Sequence, residues 1–215
     1  MHVRLAVVAL TLGIVVPATH AQGPCEPCDQ ARILRGEGKS KDAAQLLKKA
    51  GKEFKDSAEL HGLVVMCAID LGKPKDAGAA LPKFLGAHPT PAQLAEVRDV
   101  VGKAAAAPSP RNVRVHDPDG ALPAIVVLYS GAAYPRDAAE FGIERTVILD
   151  AVIAVDGTAK RIEMRTDAHW ADTKELGFEE AAVSALKRWR FFPALLDGRP
   201  VESSLTVVGI FEMIE

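Results

Sequence analysis

The residues with the most chemical potential stand near the front of the chain: Cys25-Glu26-Pro27-Cys28, with one further cysteine at Cys67. A thiolate at a helix start is stabilised by the helix dipole, so this spacing admits redox catalysis. It equally admits a structural disulfide, unpaired thiols, or a metal or intermolecular link. No βαβ pattern surrounds the pair, which weighs against an oxidoreductase. In an oxidising compartment one pair is expected to close as a disulfide, with Cys25 and Cys28 the candidates and an odd thiol left over.

Other reactive groups are scattered. Asp117-Pro118-Asp119-Gly120 has the opening of a calcium loop, but Leu128 stands where the closing glutamate belongs, so a turn is the better reading. His61, His88, His116 and His169 share no spacing suited to zinc, and His169-Trp170 beside Asp172 reads as a surface loop. Neither a Gly-x-Ser-x-Gly elbow nor a phosphate loop, dinucleotide fingerprint or paired catalytic carboxylate occurs at a credible position. The expectation is therefore a protein without catalytic residues, metal or cofactor.

The elements that carry these residues begin with residues 1–21, where Arg4 is the only charged residue besides histidines and Leu5 to Val16 is apolar. Ending in Thr19-His20-Ala21, this is the order of a secretory signal peptide cleaved after Ala21, which places the protein in the periplasm. An uncleaved inner-membrane anchor is the competing reading, but an apolar run of 12 residues falls short of the roughly 20 that span a bilayer. The formal net charge is −2, with 13 basic and 11 acidic residues over 22–110 and 12 and 17 over 111–215. Neither half offers a cationic surface, so no nucleic-acid partner is expected.

Between Pro27 and Pro89 the chain repeats at a spacing of 34 residues: Gly38-Lys-Ser-Lys-Asp-Ala returns as Gly72-Lys-Pro-Lys-Asp-Ala. Each copy predicts a helix, a glycine-containing turn and a second helix beginning near Asp42 or Asp76. The period and the hairpin unit resemble the tetratricopeptide repeat. Pro27 and His61 replace the large aromatic expected early in each copy, and a plain helical-hairpin bundle is the alternative. A further helix is predicted from Thr90, with Pro91 at its first position, Gln93 closing a capping box, and Leu94, Val97 and Val101 on one face. Alanines 104–107, then Pro108 and Pro110, end this domain, which spans residues 22–105. Residues 106–133 are read as a linker and lead-in strand.

In residues 134–215, Val147, Leu149, Ala151, Ile153 and Val155 alternate as a strand, Asp156-Gly157 supplies a hairpin turn, and Phe178 to Trp189 form an amphipathic helix ended by Pro193. Asp197-Gly198 turns the chain into a last strand, about Ser203 to Met213, antiparallel or at an edge. The periodicities alone give a small α+β layer with two helices beside the helical-hairpin domain. Tyr134, Pro135, Pro193 and Gly198 suit turns and helix starts, and Trp189 and Phe191 suit a core.

Taken in order, Tyr134-Pro135, Ala138, Gly142, Val147, Asp156-Gly157, Lys187-Arg188-Trp189-Arg190-Phe191, Pro193-Ala194, Asp197-Gly198 and Phe211 resemble the signature of the TonB C-terminal domain family. That resemblance implies a non-enzymatic periplasmic module that grips an extended segment of outer-membrane transporters by strand addition. Strand addition requires an unpaired strand edge. The candidate edge is the last strand: Ser203, Ser204, Leu205, Thr206, Val207, Val208, Gly209, Ile210 and Phe211. The polar, proline-containing lead-in of the best-known members is replaced by Ser130-Gly131-Ala132-Ala133, and helical repeats stand where a Pro-rich spacer belongs. A membrane-anchored energy transducer and an envelope scaffold, self-paired as a homodimer, are the alternative readings.

Overall fold

Gly38 and Gly72 both adopt positive φ, 76° and 66°, where a side chain would crowd the backbone. Around them the same helix ending occurs twice: Lys39 N–H reaches Leu34 O at 2.8 Å, and Lys73 N–H reaches Ala68 O at 2.9 Å. The repeated hexapeptide is thus a repeated chain reversal. It joins α1 (Glu26–Gly36) to α2 (Ser40–Ala50) and α3 (Ala58–Asp70) to α4 (Pro74–Gly86). The second helix of each hairpin starts two residues before the expected aspartate. A fifth helix, α5 (Pro91–Ala104), has the full capping box between Thr90 and Gln93, and it buries Leu94, Val97 and Val101. It covers α3 at Gly62, where an added Cβ would lie 3.2 Å from Val97.

The computed structural model describes residues 25–105, 113–165 and 176–213. The expected signal segment, the two linker prolines and His169, Trp170 and Asp172 lie outside these. None of the described helices is long and apolar enough to cross a membrane.

The stretch expected as linker and lead-in strand contains two strands, β1 (Val113–His116) and β2 (Ile125–Leu128). After them come α6 (Arg136–Glu140), β3 (Arg145–Ile153), β4 (Ala159–Met164), α7 (Phe178–Arg188), β5 (Arg190–Phe192), β6 (Ala194–Leu196), β7 (Arg199–Val201) and β8 (Ser203–Phe211). The main sheet has the order β1-β8-β3-β4, all antiparallel, while β2 pairs with β5 and β6 with β7 in separate ribbons. The α+β class holds, with α1–α5 in the N-terminal half and the antiparallel strands, with α6 and α7, in the C-terminal half.

The two halves meet on the β2–β5 ribbon. Successive residues of a strand point to opposite faces, and here both faces are apolar. Val127 and Phe192 join the core of the helical half, whereas Val126 and Phe191 pack with the core beneath the main sheet. An added Cβ at Gly78 of α4 would sit 3.0 Å from the Leu128 side chain, and Arg98 of α5 donates to Pro123 O at 2.6 Å. Contact between the halves is therefore apolar packing with one charge-assisted hydrogen bond beside it.

Candidate functional site

The last strand is not a free edge along its whole length, which corrects the sequence expectation. Residues Ser203–Phe211 pair with β3 on one side, from Ile153 opposite Ser203 to Arg145 opposite Phe211. On the other side β1 pairs with Ser204, Leu205, Thr206 and Val207. The physical reason is the alternation in Val113-Arg114-Val115-His116: its two valines pack on the core while Arg114 and His116 stay exposed. Four residues were too few to stand out from the presumed linker. Beyond Val113 no strand pairs with Val208, Gly209, Ile210 and Phe211 on that side among the described residues. The open edge is the second half of the expected one.

A cavity of about 340 Å³ opens beside this half-edge. Its floor is Leu149 and Val207 of the sheet, one wall is Ala182, Ala185 and Leu186 of α7, and the other is the extended stretch Tyr129 to Ala132 with Tyr134. That wall is fixed from behind by the family-motif residues. Trp189 Nε1 donates to Ser130 O at 2.8 Å, Arg188 Nε donates to Ser130 Oγ at 3.1 Å, and Arg188 Nη2 to Gly131 O at 3.3 Å. The Trp189 ring also packs on Tyr129 with centroids 4.8 Å apart. Tyr134 donates to Ile143 O at 2.8 Å and meets Phe178 and Phe211 edge-on, each at 5.8 Å, closing the far end.

The remaining motif residues hold the frame. Pro135 precedes α6, and Gly142 follows it with φ 64°. In the β3–β4 turn, Asp156 accepts from Thr158 and Lys160, and Gly157 O accepts from Phe191 N–H at 2.9 Å. A Cβ on Gly157 would lie 2.4 Å from Phe191 O, so the turn needs glycine because β5 crosses it. Arg190 closes on the Lys187 and Trp189 carbonyls at 2.9 and 2.6 Å. Phe191 is fully buried, Pro193 separates β5 from β6, and Gly198 lies in the β6–β7 turn.

The opposite border of the sheet is guarded. On β4 the exposed charges Lys160, Arg161 and Glu163 line the strand, Arg161 takes a positive φ of 48°, and the register with β3 slips between Asp150 and Val152. Charge and a bulge are the usual devices against unwanted pairing.

Elsewhere the candidate chemistry resolves into structure. Cys25 and Cys28 are joined as a disulfide at the start of α1, and both are buried with Cys67 in the helical core. Burial pushes the Cys67 thiol up to about 11, eased by Arg35 and reinforced by Asp70, which leaves it protonated and unreactive at neutral pH. Asp117 accepts hydrogen bonds from Ala124 N–H and the Ser203 hydroxyl, at 3.2 and 2.6 Å, as a turn residue does. Among the described residues no group of three or more His, Cys, Asp or Glu could hold a metal.

Four contributors to the groove were not legible as such: Ser130 and Gly131, set aside for lacking the polar lead-in, and Ala182 with Ala185, read only as a helix core face. The signal available for the alanines was their small size one turn apart.

Residues 130–213 match the family model described as Gram-negative bacterial TonB protein C-terminal. No curated protein matches. Among solved structures the chain is similar to the solution NMR structure of the Pseudomonas aeruginosa TonB C-terminal domain, at 24% identity, covering 43% of this chain and 88% of that one with a TM-score of 0.36.

Proposed function

We propose that residues 130–213, which match the TonB C-terminal family model, act as a protein-interaction module that captures an extended peptide segment by adding it as a strand to Val208–Phe211. The observation that carries this is the half-open β8 edge lying beside a groove with an apolar floor and an apolar helix wall. Main-chain hydrogen bonds to the edge supply affinity, and the groove supplies side-chain selectivity. An outer-membrane transporter is the partner class, and the periplasm the compartment, reached by export through the segment ending at Ala21. The stacked hairpins α1–α5, read as degenerate tetratricopeptide repeats, present a second partner surface.

The test is an NMR titration of the isotope-labelled chain with peptides from the periplasmic segments of outer-membrane transporters. The expected shifts fall on Val208 to Phe211 and on Tyr129 to Tyr134. Unchanged signals there at millimolar peptide overturn the reading. Self-pairing of the same edge, the scaffold alternative, would instead show as concentration-dependent shifts and a doubled mass in light scattering without peptide. A mature protein beginning at Gln22 supports export, whereas retained Met1 in membranes supports an anchored form.

A further inference from the structure

Resting on that reading, we infer that the groove contains a socket for one large apolar side chain of the incoming strand, at the position opposite Gly209. Along β8 the residues facing the core alternate: Leu205, Val207 and Phe211 are buried, and Gly209 occupies the inward position between the last two. Its backbone does not demand glycine, since it is absent from the residues with positive φ. Nor does crowding, because an added Cβ would come no nearer than 3.7 Å to its surroundings. What glycine does here is leave volume. Across the gap Ala182 and Ala185 likewise present only methyl groups. This gap is part of the cavity of about 340 Å³, which would hold roughly ten waters at about 30 Å³ each; the hydrogen-bonding side chains of its lining, Tyr129, Ser130, Tyr134 and Glu212, belong to its other borders, and waters beside Gly209, Ala182 and Ala185 meet side chains that offer none.

The neighbouring strand shows how such a position is filled. Val115 stands opposite Leu205 and Val113 opposite Val207, both turned onto the core. The next inward place in this ladder is opposite Gly209. The residues that precede β1 in sequence, Pro110-Arg111-Asn112, include no bulky apolar side chain of the kind the socket takes. The occupant is therefore an extended segment of another protein, carrying one bulky apolar residue whose two neighbours point to the solvent face. Its ladder stops at Val208, because β1 already holds Val207.

The experiment compares two blocked hexapeptides on the full chain by NMR titration: threonines with one central phenylalanine, and the same peptide with alanine in its place. The phenylalanine peptide is expected to bind at least about tenfold more tightly and to shift the methyl signals of Ala182 and Ala185. Gly209→Val fills the socket from the sheet and Ala185→Leu from the helix. In whichever of the two remains folded, the tenfold preference is expected to vanish. Equal affinities for the two peptides in the wild-type chain, or a preference that survives a folded filling variant, overturn the socket while leaving strand addition intact. If no peptide, transporter-derived ones included, shifts Val208 to Phe211, strand addition itself fails.

Discussion

Asp150 lies on the outer face of the sheet. The Thr206 hydroxyl donates to it at 2.8 Å and the Arg165 guanidinium at 2.8 and 3.0 Å. The Thr206 hydrogen bond is the largest influence; with the Arg165 pair and the nearby His116 it outweighs the opposing effect of burial and holds the carboxyl below the usual carboxylate range. A group depressed in the folded state stabilises above its unfolded value of about 3.9 and loses that contribution as pH falls through the folded value. Thermal melts taken from pH 5 downward should thus show an acid-side loss of Tm that is smaller in Asp150→Asn; identical pH profiles would refute the linkage. Cys67 makes the opposite case. With its thiol raised to about 11 by burial, it should resist alkylation in the native chain at pH 8 and react fully in denaturant, as intact mass spectrometry would record. The sequence disclosed an odd thiol, but not its burial: that depends on α1 and α3 packing together, a contact that no local pattern specifies.

Between elements, α4 comes close to β2 at Gly78, where a side chain would have to move Leu128. Gly78→Val should cost about 1–3 kcal/mol through overpacking, seen as a lower denaturation midpoint; an unchanged midpoint would mean that the two surfaces separate easily in solution. Helices and their caps were legible because their signals are local: Thr90 with Gln93, or the hexapeptide recurring at Gly38 and Gly72. The pairing order was not. A nine-residue strand rich in Val, Leu and Ile has the same sequence whether it is central or at an edge, and β8 is both, covered by β1 for half its length. The site was therefore half legible, with its strand identified and its open portion hidden until β1 was placed.

At the scale of the molecule, the β2–β5 ribbon belongs to two cores at once. Phe192 is fully buried in the helical one and Phe191 in the other. Phe192→Ala should cost about 3–5 kcal/mol and lower the melting of helical and sheet signals together, since neither half keeps its apolar face covered alone. Two separate calorimetric transitions in the wild-type chain would contradict this. The alanine- and proline-rich stretch marks a domain boundary in the sequence; the apolar residues on both faces of so short a ribbon are what pack the two halves together. Partners held by the hairpins and by β8 would accordingly meet at a separation set by packed surfaces. The effective concentration of one at the other becomes a property of molecular geometry, insensitive to lengthening of the segment between Ala105 and Val113, where a tethered pair would weaken with each added residue.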